Sequence, residues 1–250
     1  MSGHSKWSSI KHKKGAADAK RGKLFSKLSR ALIVAAREGG PDPAGNLALQ
    51  NAIEKARSYS MPKDNIERAI ARGSGQDADA TAFETIVYEG YAPGGVALLV
   101  EALTDNRNRT AAEVRHLFSK NDGSLGEAGS VAWLFERRGV VLVDGSADEE
   151  ELTLAAAEGG ADDVERDGSS WQITSAPEHL AAVREAVEAA GFAVDSAELT
   201  MIPKTTIEVE DEAQAKKILR LMDALEENDD VQEVYANFDI AERVLEEVAS

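Results

Sequence analysis

Lys6, Lys11, Lys13, Lys14, Lys20, Arg21, Lys23, Lys27, Arg30 and Arg37 all fall within the first 37 residues, against a single acid, Asp18. Cations this dense neutralise phosphates and release the counterions condensed on them, which gives affinity with little sequence preference. Trp7 stands among the first lysines, where an indole has two uses: stacking on an exposed base or wedging into a groove, or anchoring the segment to the helices that follow. His12, between Lys11 and Lys13, belongs to the same candidate surface. The plainer reading of such a run is a solvated tail.

The charge of the whole chain decides between these readings less than its distribution does. The 250 residues carry a formal charge of −17. Residues 1–72 hold 15 basic and 6 acidic groups, a net of +9, which leaves −26 on the rest. Asymmetry of this size at one end points to a contact with nucleic acid or a membrane surface, confined to the basic face because the remainder repels phosphate.

Other residues with chemistry are fewer. Arg107 and Arg109 sit where a strand gives way to a helix. Free backbone N–H groups there attract anions, while Asn106 and Asn108 suit helix capping, and capping is the simpler role. Arg137 and Arg138 are a weaker pair of the same kind. His4 and His12 have no carboxylate or thiolate between them and are flanked by lysines, so no metal site is expected. His116 and His179 fall inside expected helices.

Gly123, Gly126 and Gly129 resemble a phosphate loop in spacing, but they join a helix end to a strand, the reverse of the dinucleotide and P-loop order, and read as a turn. The acidic runs 149–151 and 226–230 read as solvated helix ends. The chain has no cysteine, which removes disulfides, zinc–thiolate sites and cysteine nucleophiles. No catalytic motif, cofactor motif or small-molecule site emerges, and no run of eighteen apolar residues suggests a membrane span.

The elements that carry these residues follow from periodicity. Residues 1–20 read as a basic arm. Leu24, Leu28, Ala31, Leu32 and Ala35 predict an amphipathic helix over 21–38, with Lys20, Lys23, Lys27, Arg30 and Arg37 on the neighbouring face. Helices over 46–59 and 62–72 complete a bundle spanning 21–75. After a linker at 73–81 the period becomes two, with strands at 84–91 and 95–104, a helix at 109–121 and a strand at 130–136.

Residues 137–203 then run β-α-β-β-α-β, the order of a ferredoxin-like sandwich. The closing pieces (strand 205–209, helix 211–227, strand 231–238) are too few to stand alone, so they are expected to join 82–136. The fold class is α+β multidomain: an N-terminal three-helix bundle, then two ferredoxin-like α/β sandwiches. The unit 137–203 is inserted into a discontinuous domain of 82–136 plus 204–240.

Several motifs together resemble one family. The segment Ser2-Gly3-His4-Ser5-Lys6-Trp7, with Ile10-Lys11-His12-Lys13-Lys14 behind it, is similar to the start of the YebC/PmpR family. So are the run from Met61 to Ile70, Tyr88-Glu89-Gly90-Tyr91 with Gly94-Gly95-Val96, Thr104 through Thr110, and Gly129-Ser130-Val131. One departure is Asp122-Gly123-Ser124-Leu125-Gly126, where the family more often shows Gly-Gly-Asn-Leu-Gly.

The resemblance spans nearly the whole chain. It implies a three-domain, cytoplasmic, non-enzymatic DNA-binding transcriptional regulator with no transit peptide. Mitochondrial relatives look like translational activators, and bacterial relatives are linked to ribosomes stalled on proline-rich stretches.

The expected partner is therefore nucleic acid, either DNA or ribosomal RNA on the ribosome, with no membrane and no small-molecule substrate. The expected contacts are Lys6, Trp7, Lys11, His12, Lys13, Lys14, Lys20, Arg21, Lys23, Lys27 and Arg30, joined by Arg107 and Arg109. A third reading, an enzyme with a pocket between the sandwiches, has only the generality of the fold behind it. Oligomeric state is left open.

Overall fold

Leu28, Leu32, Ala35 and Ala36 recur at three- and four-residue steps along the first helix and are all buried. That stripe faces the core of the N-terminal bundle. The computed structural model describes residues 18–76, 83–167, 170–240 and 244, with side chains of the first helix from residue 22 onward.

In chain order the helices and strands begin with α1 (Asp18–Gly39), α2 (Leu47–Ser58) and α3 (Lys63–Ala71), after which a tight turn covers Arg72–Gln76. Then come β1 (Glu84–Tyr91), β2 (Ala97–Thr104), α4 (Arg107–Lys120), β3 (Ser124–Leu125) and β4 (Phe135–Asp144). They are followed by α5 (Glu149–Glu158), β5 (Ala161–Asp167), β6 (Ser170–Ser175), α6 (Leu180–Ala189) and β7 (Val194–Pro203). The chain continues with β8 (Ile207–Val209), α7 (Glu212–Glu226), β9 (Val231–Ala236) and β10 (Phe238–Ile240).

The described residues divide into two units, 18–132 with 211–236, and 133–210 with 237–240 and 244. In the first, α1 packs on α2 and α3 around Leu32, Leu49, Ile53, Ala56 and Ile66. Asn46 fixes the α1–α2 corner. Its carbonyl caps α2 by accepting from the Leu49 N–H (3.0 Å), and its amide donates to the carbonyls of Ala35 (2.7 Å) and Gly40 (2.8 Å). At 6% exposure an unsatisfied amide there would be strongly destabilising, so the three bonds explain the choice of residue.

The same unit holds an antiparallel sheet in the order β3-β1-β2-β9. β1 and β2 pair from Glu84↔Thr104 to Tyr91↔Ala97 across the Pro93–Gly95 turn, where Gly94 and Gly95 both take positive φ. α4 packs on β1, β2, β3 and α7, and α7 also covers β9. Gly90 lets α4 approach: a Cβ there would lie 2.6 Å from Phe118 Cε1 and 2.7 Å from the Ser124 carbonyl.

The second unit is built on the antiparallel order β5-β6-β4-β7. With β4 and β6 in the middle, this is the strand order of a β-α-β-β-α-β sandwich, the arrangement expected for 137–203. α5 and α6 pack together, close enough at Gly159 that a Cβ would lie 2.5 Å from the Val183 Cα. Val141, Val143, Leu152, Trp171, Ile173, Val183 and Val187 fill the core.

Three local expectations differ. Residues 130–136 do not form a separate strand: Ala132–Leu134 is a 3₁₀ turn, and the ladder from Phe135↔Pro203 to Val143↔Val194 makes 135–144 one strand. Arg137-Arg138-Gly139 falls where 82–136 was expected to give way to 137–203, yet Arg137 pairs with Met201 and Gly139 with Leu199, both inside that ladder. The strand expected at 205–209 does not join the sheet of β1 and β2. It pairs in parallel with β10, and the expected 231–238 strand is divided at Asn237, whose amide donates to the Thr205 carbonyl at 3.3 Å.

Candidate nucleic-acid interface

The basic stripe of α1 lies against an acidic loop of its own unit. Lys23 Nζ donates to the Glu227 carbonyl at 3.4 Å and stands 3.8 Å from the Asp229 carboxylate. Lys27 Nζ donates to the Glu226 carbonyl, and Arg30 donates to the Asp229 carbonyl. Arg30 also reaches the Asp230 carboxylate at 3.3 Å, and its guanidinium lies 5.8 Å from the Phe83 ring. The Glu226 and Glu227 carbonyls terminate α7, where the helix dipole leaves partial negative charge, and cations are favoured there. Arg37 donates to the Phe83 carbonyl at 2.7 Å, and Lys55 of α2 pairs with Glu233 of β9.

The run 226–230 is thus more than a solvated helix end. Nothing local in the sequence reveals this, because the bonds join residues 199 to 204 positions apart. The available signal was coarse: a clustered cationic helix face in a chain with a clustered acidic run of matching size.

Asp230 is the centre of the arrangement and is only 5% exposed. Its carboxylate accepts from Arg109 (2.7 Å), from the Thr110 hydroxyl (2.7 Å) and from the Thr104 hydroxyl (3.2 Å). Burial opposes ionisation, but the bonds from Arg109 and Thr110 and the charges of Arg109 and Arg30 outweigh it, so the carboxyl titrates below its ordinary range. Its backbone carbonyl accepts from Leu103 at 2.7 Å. The motif from Thr104 to Thr110 is therefore largely structural. Asn106 caps α4 by accepting from the Arg109 N–H (3.1 Å), and Arg109 also pairs with Asp105 (2.9 Å). The bond to Asp230 pushes the Arg109 pKa up.

An open cleft of about 460 Å³ lies between α1, the first turns of α4 and the loop 227–230, and Lys23, Arg30, Arg109, Glu113 and Asn228 are among its lining. Arg107, at the start of α4, is exposed.

The Gly123, Gly126 and Gly129 run holds a carboxylate of the chain itself. Glu89, 7% exposed, accepts from the N–H groups of Gly129 (2.6 Å), Val131 (2.7 Å) and Ala132 (2.7 Å). The Gly126 N–H bonds the Glu89 carbonyl at 2.8 Å. The amides that a phosphate loop would offer are engaged internally, as expected for a turn.

Of the residues singled out for nucleic acid, α1 and α4 bring Lys23, Lys27, Arg30 and Arg109 around the one acidic loop, while Arg107 stays exposed. Lys6, Trp7, Lys11, His12, Lys13 and Lys14 lie outside the described residues, as do the side chains of Lys20 and Arg21. Among the described residues there is no group of three or more His, Asp or Glu able to hold a metal. None of their helices is long and apolar enough to cross a membrane.

Comparison with known proteins places this geometry in a family. A family model described as the TACO1/YebC protein N-terminal domain matches residues 5–76, and another, the TACO1/YebC second and third domain, matches residues 83–238. A protein of Rubrobacter xylanophilus named "Probable transcriptional regulatory protein" is 61% identical over 250 residues, covering 100% of both chains. One of Desulfotalea psychrophila, likewise named a probable transcriptional regulatory protein, is 54% identical over 250 residues with the same full coverage. The crystal structure of a conserved hypothetical protein, Aq1575 from Aquifex aeolicus, is 50% identical with a TM-score of 0.79 and covers 90% of this chain and 93% of that one. With the two models together spanning most of its length, this chain belongs to the TACO1/YebC family.

Proposed function

We propose that the chain is a nucleic-acid-binding regulator of gene expression, acting in the cytoplasm, that grips phosphate through its N-terminal cations. The observation that carries this reading is the division of charge, +9 on residues 1–72 against −26 on the remainder. Lys23, Lys27 and Arg30 are met by the loop 226–230, so the reading is placed on the cations ahead of them in sequence: Lys6, Lys11, Lys13, Lys14, Lys20 and Arg21, with His12 and Trp7 among them. Relatives named as transcriptional regulators agree with duplex DNA as the polymer. The same phosphate chemistry serves ribosomal RNA, and the two sources are separated by titrating both.

Binding is expected to weaken steeply with salt. Replacing Lys11, Lys13 and Lys14 together by Ala should flatten the slope of log K against log salt on duplex DNA by roughly one unit for each phosphate left without its lysine. Fluorescence anisotropy with a labelled duplex and a labelled structured RNA, over a range of salt from about 50 to about 300 mM, reads the slope for both. An unaltered slope on both polymers removes the arm from the interface.

A further inference from the structure

Among the described residues one aromatic ring is exposed. Trp133 is 66% exposed, while every other described Phe, Tyr and Trp is buried or half-buried. An indole ordinarily buries most of its large apolar area, so one held in water calls for a use. The backbone that carries it is held on both sides. Ala132, before it, donates its N–H to Glu89 at 2.7 Å, and Leu134, after it, accepts from the Lys204 N–H at 2.8 Å. The ring therefore stands on a fixed 3₁₀ turn and not on a loose loop.

The charge beside the ring differs from that of its unit. Residues 133–210 carry 18 acids and 5 bases, a net of −13. The segments 133–139 and 199–206, which pair from Phe135↔Pro203 to Gly139↔Leu199, hold Arg137, Arg138 and Lys204 against one acid, Glu136, a net of +2. Arg138 is paired with Asp162 at 3.1 Å, and Glu136 projects from the face of β4 opposite to that of Arg137. Glu127, six residues before Trp133, is the exposed acid of the preceding turn. Lys204 is exposed and stands beside Leu134 through its backbone bond. Screening over about 8 Å at physiological salt makes these near charges count for more than the total of the unit.

We propose that Trp133 is a stacking platform for an unpaired base of single-stranded nucleic acid, with Lys204 placed to meet the adjoining phosphate. The proposal rests on the nucleic-acid reading above and adds to it a single-strand subsite outside the basic segment. A base fits the ring better than a protein surface does. A protein interface surrounds its aromatic anchor with a contiguous apolar core. Here Leu134, Met201 and Ile202 are half-buried, and Leu154, the other exposed large apolar side chain of 133–210, lies on α5, which packs on α6 and β5. A base needs only the face of one ring, and stacking on it tolerates any sequence. Paired bases keep their faces inside their own stack, so the platform discriminates single strands from duplexes.

The test uses the full chain with oligo(dT) and oligo(rU) of about 12 nucleotides and a blunt duplex of about 12 base pairs. In the W7F chain the remaining indoles are Trp133 and the buried Trp171, so titration with either oligonucleotide should quench Trp133 emission. W133A and W133L should each lower single-strand affinity about fivefold or more near 0.1 M salt, W133F should stay close to the parent, and the duplex should bind all of them alike. K204Q should flatten the single-strand slope of log K against log salt by about 0.7. An unchanged thermal midpoint confirms the fold of each variant. If W133A falls, quenching in the W7F chain decides without it.

Loss on oligo(dT) or oligo(rU) alone supports the platform and identifies its polymer. Oligonucleotide binding without quenching, or equal losses on single strand and duplex, overturns it. If W133A and W133L bind every probe like the parent while K11A/K13A/K14A is impaired, the platform is refuted, the arm reading stands, and the ring is left to a protein partner. If the parent itself binds no probe at about 50 mM salt, both readings fall.

Discussion

Asp230→Ala is expected to destabilise the unit built from 18–132 and 211–236 by about 2–3 kcal/mol, the scale for leaving buried hydrogen-bonding groups without their acceptor. The reason is what stays behind. Arg30 loses its carboxylate, Arg109 keeps only Asp105, and the Thr104 and Thr110 hydroxyls lose the carboxylate they donate to. The side chain joins α1, β2 and α4, so the loss falls on the attachment of the bundle to the sheet as well as on each part.

The acid response has a definite sign. The folded pKa of Asp230 is depressed, so its contribution is complete above the unfolded value of about 3.9 and is lost as the pH falls through that value toward the folded one. Urea unfolding at a series of pH values should show the parent losing stability below about pH 4.5 with a steeper slope than Asp230→Asn. A midpoint for Asp230→Ala matching that of the parent near neutral pH would mean the cluster holds nothing together.

That cluster also explains which parts of the molecule were legible in the sequence. Period and punctuation are local, and they located the helices, although they misplaced the strand boundary around Arg137-Arg138-Gly139. Asn46, Asn106, Asp148 and Asp211 each stand one residue before a helix and each cap it with a side-chain oxygen. The stripe of α1 and the β-α-β-β-α-β order of 137–203 are of the same kind.

Pairing is not local. β8 has only three residues, and which strand it joins depends on Asn237 dividing β9 from β10, where its amide bonds the Thr205 carbonyl. The basic face of α1 was legible as basic, but the acceptors of Lys23, Lys27 and Arg30 lie about 200 positions away and could not be read from it.

Glu89 offers the sharpest separation between a motif that binds a ligand and one that binds itself. Burial raises the cost of its charge, and the bonds from Gly129, Val131 and Ala132 more than offset that, leaving its pKa lowered. Glu89→Ala is expected to destabilise by about 3 kcal/mol or more, because three N–H groups lose a charged acceptor and two of the three residues are half-buried or better. Glu89→Gln should recover little despite its shape. An amide presents one oxygen and one NH₂ group, and either orientation turns a donor toward a donor. The loop cannot readily rearrange to help, since Gly129 already occupies φ +86° and Gly126 sits where a Cβ would be 2.5 Å from the Ser130 hydroxyl.

Hydrogen exchange distinguishes this from a general loss of packing. The amides of Gly129, Val131 and Ala132 should exchange faster in Glu89→Gln than the rest of the unit, and its acid limb should lose the component that the parent shows as pH falls through about 4.3, the unfolded value for Glu. Protection of those three amides equal to the parent's would show that they have another acceptor, and the Gly-rich turn would again be available to an external anion.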